Sequence, residues 1–167
     1  PRPRRREAAS VFTLYTTPLS ANGRKPLALA RALGLEPEIR HVNVYRGEGR
    51  KPEFLAISPL GKIPVLVDGS LTLCESNAIL IYLAEKHGRF LPTEARARVS
   101  VIEWLMFQMA SVGPMFGQNG HFRNYAPEPM PYAVNRYTNE TKRIYGVMDR
   151  RLAEVPFLAG EYSIADM

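Results

Sequence analysis

Lys62-Ile63-Pro64-Val65-Leu66-Val67-Asp68-Gly69-Ser70-Leu71-Thr72-Leu73-Cys74-Glu75-Ser76-Asn77-Ala78-Ile79 reads as a strand, a tight turn, a second strand and the start of a helix. Ile63, Val65 and Val67 are β-branched at period two, Asp68-Gly69 is a hairpin turn, Leu71 and Leu73 continue the alternation, and Ser76 is expected to cap the helix. Pro64 has no N–H for a ladder, which predicts an edge strand there and leaves the backbone of Ile63 available to an extended, peptide-like ligand. Glu75 and Ser76 fall where unpaired helix N–H groups and the positive dipole end favour a carboxylate, with a hydroxyl as one more donor.

Upstream, Val11 to Tyr15 is a short strand and Thr16 to Ser20, with Pro18, the loop after it. A helix capped by Ser20 or Asn22 follows, with Pro26 near its first turn, a buried stripe of Leu27, Ala30 and Leu33, and a stop at Gly34 and Pro37. Ile39, His41 and Asn43 alternate with Arg40, Val42 and Val44 in a second strand. Tyr45 to Lys51 is a loop, and Pro52 to Leu55 a helical turn. With the hairpin and a helix reaching Lys86, the order is β-α-β-α-β-β-α, the thioredoxin topology. The expected fold is therefore an α/β thioredoxin-like domain over residues 10–87, a linker over 88–94 and an all-α domain over 95–167. In that second half, Val99, Ile102, Leu105 or Met106, Met109, Val112 and Phe116 mark one long helix, kinked at Gly113-Pro114. Gly117 to Pro131 is expected to be a loop and Tyr132 to Leu152 a second long helix. Ser163-Ile164-Ala165-Asp166 is a capping-box pattern introducing a helix that the sequence does not contain.

Ser58-Pro-x-Gly-Lys-Ile-Pro64 followed by Glu75-Ser-Asn-Ala-Ile79 resembles the glutathione-binding half of cytosolic glutathione S-transferases. The resemblance implies a cis Pro64, with the backbone of Ile63 paired to the cysteinyl part of glutathione, the γ-glutamyl end at Glu75 and Ser76, and Lys62 beside the peptide. It also implies that the all-α half is incomplete, so that apolar helix faces are left uncovered. The stretches Gly113 to Phe122 and Pro131 to Tyr137 are similar to the nu-class, disulfide-reductase branch. There the site binds glutathione disulfide or two glutathiones, and a neighbouring subunit supplies an arginine whose context Arg136 matches. Gly49 stands where that branch has a glutamine.

In a thioredoxin-like domain the first loop carries the reactive group, and Thr16 to Lys25 contains neither cysteine nor tyrosine. Ser20 is the first candidate to hydrogen-bond a glutathione thiolate and Asn22 the second; a donor at a helix N-terminus favours the charged sulfur. Ser20 serving only as a helix cap is the competing reading. The expected activity is transfer of the glutathione thiolate to a small hydrophobic electrophile or a disulfide, with glutathione as co-substrate and a homodimer as the assembly. Disulfide-bond reduction as the main activity, or non-catalytic ligand binding on the same fold, are the alternatives.

The 167 residues are 46% hydrophobic and can bury a core. Of the net charge of +6, Arg2, Arg4, Arg5, Arg6 and Glu7 supply +3, so residues 1–9 read as a flexible basic tail and no nucleic-acid role is assigned. No uninterrupted apolar run suggests a membrane span, and a cytoplasmic location is expected. One cysteine permits neither an internal disulfide nor a C-x-x-C pair, so a thiol must be borrowed. Cys74 reads as a small buried hydrophobe, and His41, His87 and His121 lack metal-ligand spacing.

Overall fold

The computed structural model describes residues 12–167; the basic tail and Val11 lie outside them. The chain divides into two compact units, one ending at Arg89 and one spanning Phe90–Asp166.

In the first unit, β1 (Thr13–Thr16), α1 (Ala21–Leu33) and β2 (Glu38–His41) form a parallel βαβ unit. Two 3₁₀ turns (Val44–Arg46 and Glu48–Arg50) and α2 (Pro52–Leu55) lead to β3 (Val65–Asp68), β4 (Leu71–Cys74) and α3 (Ser76–His87). The sheet order is β2-β1-β3-β4, with β3 antiparallel to both neighbours. Alternation along the strands sorts the core into two layers. Leu14 pairs with Leu66 and Leu66 with Leu73 on the α1/α3 side, where Leu29, Ile79, Leu80 and Leu83 are fully buried. Tyr15, Val65 and Cys74 share the opposite face with Val42, Phe54, Ile57 and Ile63.

Two expectations change here. Pro64 is not on an edge strand: β3 is interior, and its ladder begins one residue later at Val65, so the missing N–H costs no strand pairing. The stripe of α1 is Gly23, Lys25, Pro26, Leu29 and Ala30, with Leu27 and Leu33 only half-buried.

The second unit is helical: α4 (Ala95–Phe107), a π turn (Gln108–Val112), α5 (Gly113–Asn124) and α6 (Pro131–Glu154). Where a kink is expected at Gly113-Pro114, a π turn ends at Val112 and Pro114 falls in the first turn of α5, where a missing N–H is tolerated. The expected Gly117 to Pro131 loop shrinks to residues 125–130, because α5 runs through Gly117 and Gly120. Each helical glycine costs about 1 kcal/mol. Packing against α6 offsets it: Phe122 stacks on Tyr137 with centroids 5.5 Å apart, and Phe116 lies 4.9 Å from Tyr145. The run Ala95–Asn124 reaches a mean hydropathy of 1.2, the length and composition of a membrane span. It nevertheless carries Glu103, Gln108 and Gln118, and its Val101 and Leu105 are buried.

At the C-terminal side the capping pattern forms as read. Ser163 Oγ accepts from Ala165 N–H (3.2 Å), and the Asp166 carboxylate reaches back to Ser163 N–H (3.0 Å) and Leu158 N–H (2.9 Å). The described chain follows it with a single 3₁₀ turn, Ile164–Asp166.

Candidate active site

The sheet register brings three segments to one end. Tyr15 is opposite Val65 and Val65 opposite Cys74, so the residues just beyond them, the first loop after Thr16, Ile63-Pro64 and Glu75-Ser76, are neighbours. Together Asn22, Leu60, Lys62, Ile63, Glu75 and Ser76 line a cleft of about 320 Å³.

Each segment is held from beneath. Ser58, 1% exposed, donates to Lys62 O (2.8 Å) and accepts from Lys62 N–H (3.1 Å), closing the turn that delivers Ile63. Within that turn Gly61, at φ +64°, abuts Gly49: a Cβ on Gly49 would lie 2.4 Å from Gly61 O. A Cβ on Gly61 would in turn lie 2.5 Å from Gly49 O, so neither glycine has room for a side chain at this contact. The Ile63–Pro64 bond is cis, and Pro64 is buried.

On the first loop, Ser20 is extended (φ −83°, ψ 117°) and caps α1, its Oγ accepting from Gly23 N–H at 3.0 Å. The hydroxyl keeps its own proton to donate. Asn22, two residues on, is exposed and lines the cleft. Gly23 must be glycine: a Cβ there would fall 2.0 Å from Thr16 Oγ1, so the first turn of α1 rests directly on the end of β1.

Ser76 is not the cap of α3. Glu75 occupies that place at φ +67°, a region few non-glycine residues adopt and one that stores about 1–3 kcal/mol, and it makes no side-chain capping bond. The Ser76 hydroxyl instead accepts from Lys25 Nζ at 3.2 Å, and Lys25 also donates to Asn77 Oδ1. Burial of Lys25 lowers its ammonium pKa to about 8, with the nearby Glu75 carboxylate acting in the opposite direction. Lys25 was absent from the residues singled out above. The sign of it in the sequence is that it precedes Pro26 and stands four residues before Leu29, on the buried stripe, where a lysine requires polar partners.

Cys74 is half-buried, donates its S–H toward Ile57 O (3.4 Å) and packs on the Val42, Phe54 and Val65 cluster while reaching the cleft wall. Arg136 lies in the helical unit, on α6, where it lines a cavity of about 690 Å³ with Met115, Tyr132, Asn139 and Arg143. No group of three or more His, Cys, Asp or Glu is arranged to hold a metal among the described residues.

Residues 10–85 match the glutathione S-transferase N-terminal domain. The chain is 46% identical to the disulfide-bond oxidoreductase YfcG of Escherichia coli, with 94% of this chain and 76% of that protein aligned. It superposes with a TM-score of 0.89 on a glutathione transferase from Pseudomonas putida with one glutathione disulfide bound per subunit (39% identity; 96% and 73% of the two chains). The same score is reached with a glutathione transferase family member from Pseudomonas fluorescens with two glutathione bound (41% identity; 96% and 74%). A thioredoxin-like sheet bearing the cis-proline turn and the Glu75-Ser76 corner, followed by a helical unit, agrees with these matches: the chain belongs to the glutathione S-transferase family.

Proposed function

We propose that this protein binds glutathione in the cleft beside cis-Pro64 and uses its thiolate to reduce disulfides, with conjugation to small electrophiles as a second reaction of the same group. The observation that carries this reading is the convergence of the Ile63 backbone, the uncapped start of α3 at Glu75-Ser76 and the start of α1 on one cleft. Ile63 pairs with the cysteinyl backbone. Glu75 faces the γ-glutamyl ammonium and Ser76 its carboxylate, which leaves the sulfur near the N-terminus of α1. There the helix dipole and a side-chain donor hold it as thiolate.

Disulfide reduction proceeds by two displacements. The glutathione thiolate attacks one sulfur of the substrate, expelling a thiolate and forming a mixed disulfide; a second glutathione thiolate attacks the glutathione sulfur of that bond, releasing the second substrate thiol and glutathione disulfide. The protein needs only to ionise and position the sulfur, so Cys74 is not required. Similarity to the oxidoreductase and to a structure holding glutathione disulfide supports disulfides as the favoured substrate.

Between the two candidate donors, Asn22 lines the cleft while Ser20 Oγ is engaged by Gly23 N–H, which favours Asn22 as the group nearer the sulfur and Ser20 as its support. Ultraviolet thiolate absorbance of bound glutathione against pH, in wild type, Ser20→Ala and Asn22→Ala, tests this. Asn22→Ala should raise the midpoint and lower disulfide turnover by about 10- to 1000-fold, the range of a lost oxyanion-type donor. A midpoint that moves only in Ser20→Ala gives the role to the serine. Tight glutathione binding without turnover of a small disulfide or a chromogenic electrophile would make this a binding protein.

A further inference from the structure

Behind the cleft wall lies a cation that the reading above leaves unused. Lys25 extends from α1 to the first turn of α3, is 8% exposed, and donates from Nζ to the uncharged oxygens Ser76 Oγ and Asn77 Oδ1. An ammonium has three donors and no acceptor, so in this contact the serine oxygen must accept. The single hydroxyl proton of Ser76 is then committed to a different direction, and Ser76 lines the cleft. We infer that Lys25 makes this end of the cleft selective for a ligand with a free carboxylate: by holding Ser76 Oγ as an acceptor it presents the hydroxyl proton to the ligand, and it places a buried positive charge one hydrogen bond behind the ligand's carboxylate.

Two features of the corner support this assignment. Bond polarisation runs the right way, because an oxygen that accepts from an ammonium becomes a stronger donor, and the low local dielectric enlarges the effect. The charges are also complementary. Exposed Glu75 supplies an anion for the ammonium of a γ-glutamyl group, and buried Lys25 supplies a cation on the side of its carboxylate. Lys25 is thus a positioning residue that reads the ligand through Ser76.

The inference rests on the glutathione reading, and its test separates the two. Affinities at pH 7 are measured by calorimetry for three peptides that share the glycine carboxylate: glutathione, 4-aminobutyryl-Cys-Gly, which keeps the N-terminal amine and lacks the γ-glutamyl α-carboxylate, and glutaryl-Cys-Gly, which keeps that carboxylate and lacks the amine. Lys25→Met should weaken glutathione and glutaryl-Cys-Gly by about 10- to 100-fold, the range of a lost hydrogen bond to a charged group, and 4-aminobutyryl-Cys-Gly by less than about threefold. In a Ser76→Ala background the same change should add little, since Lys25 acts through that hydroxyl. Lys25→Arg, which keeps charge and donors, should hold most of the preference for the carboxylate, and gives the answer should Lys25→Met not fold. Equal loss for all three peptides, or a full additional loss in Ser76→Ala, overturns the inference. Absence of glutathione binding by the wild type overturns the reading of the cleft and this inference with it.

Discussion

At position 23 the requirement is for the absence of a side chain. A Cβ on Gly23 would meet Thr16 Oγ1 at 2.0 Å and Ser20 Cβ at 3.2 Å, so Gly23→Ala must lift the first turn of α1 off β1 and carry Ser20 and Asn22 with it. Chemical denaturation should show a loss of about 1–3 kcal/mol, as for an overpacked core position. Thr16 Oγ1 is buried without a hydrogen-bond partner among the described residues, so Thr16→Ala should cost little alone and should restore much of the stability of Gly23→Ala. Absence of that rescue would mean that the clash lies elsewhere. Lys25 makes a different demand on the fold. Its ammonium pKa falls from 10.5 when unfolded to about 8 when buried, so below pH 8 both states carry the proton and the burial penalty is constant. Between pH 8 and 10.5 the folded state releases the proton while the unfolded state keeps it, and stability must rise with pH. Urea titrations of wild type against Lys25→Met should show the difference moving in favour of wild type across that window; a flat difference would refute the shift.

Helix α5 shows where local reading and tertiary structure part. Gly117 and Gly120 suggested a loop, yet nothing lies within 4 Å of a Cβ built at Gly117, and the residue sits inside a helix held by the Phe116–Tyr145 and Phe122–Tyr137 pairs. Gly117→Ala should therefore stabilise the protein by about 0.5–1 kcal/mol, through helix propensity and a less flexible unfolded chain. Thermal or urea unfolding checks it, and a destabilised variant would reveal a contact at that position. The hairpin was readable because its signals are local: β-branched alternation, Asp68-Gly69, and a proline that marks where the ladder starts. Whether β3 lay at an edge was not readable, since its pairing to β1 joins residues about fifty positions apart. The cap of α3 was misplaced by one residue for a related reason. Glu75 adopts φ +67° under the constraint of the strand before it and the helix after it, a conformation its own side chain does not favour. Ser20, Asn22, Ile63 and Glu75 could be named from motif and position, whereas the spacing to Leu29 marks Lys25 only as a lysine on a buried stripe, and its partners on α3 emerge once α1 and α3 are packed and Ser76 lies within reach.

For the whole molecule the proposed assembly is a homodimer in which Arg136 serves the site of the other subunit. Its support on this chain is that Arg136 is exposed on α6, with Tyr132 80% exposed nearby, while Met106 on α4 and Met109 in the π turn are also exposed. Apolar side chains in that number on one helical unit are costly to leave in water, and two-fold association would cover the same patch on both copies. Subunit complementation distinguishes an arginine acting across an interface from one acting within its own chain. One parent carries Ser20→Ala with Asn22→Ala and lacks the thiolate donors; the other carries Arg136→Ala. In a mixed dimer with the arginine acting across the interface, the Arg136→Ala subunit contributes intact donors and receives the arginine of its partner, so one complete site forms and the other is doubly impaired. With the arginine acting within its own chain, both sites remain impaired. Mixing the parents under conditions that permit exchange should thus raise disulfide turnover well above their average, up to about a quarter of wild type when half of the dimers are mixed and each holds one working site of two. Sedimentation equilibrium at micromolar concentration should show the dimer in all three preparations. A monomeric wild type, or a mixture no more active than the mean of its parents, would assign Arg136 to the surface of α6 and leave each cleft to act alone.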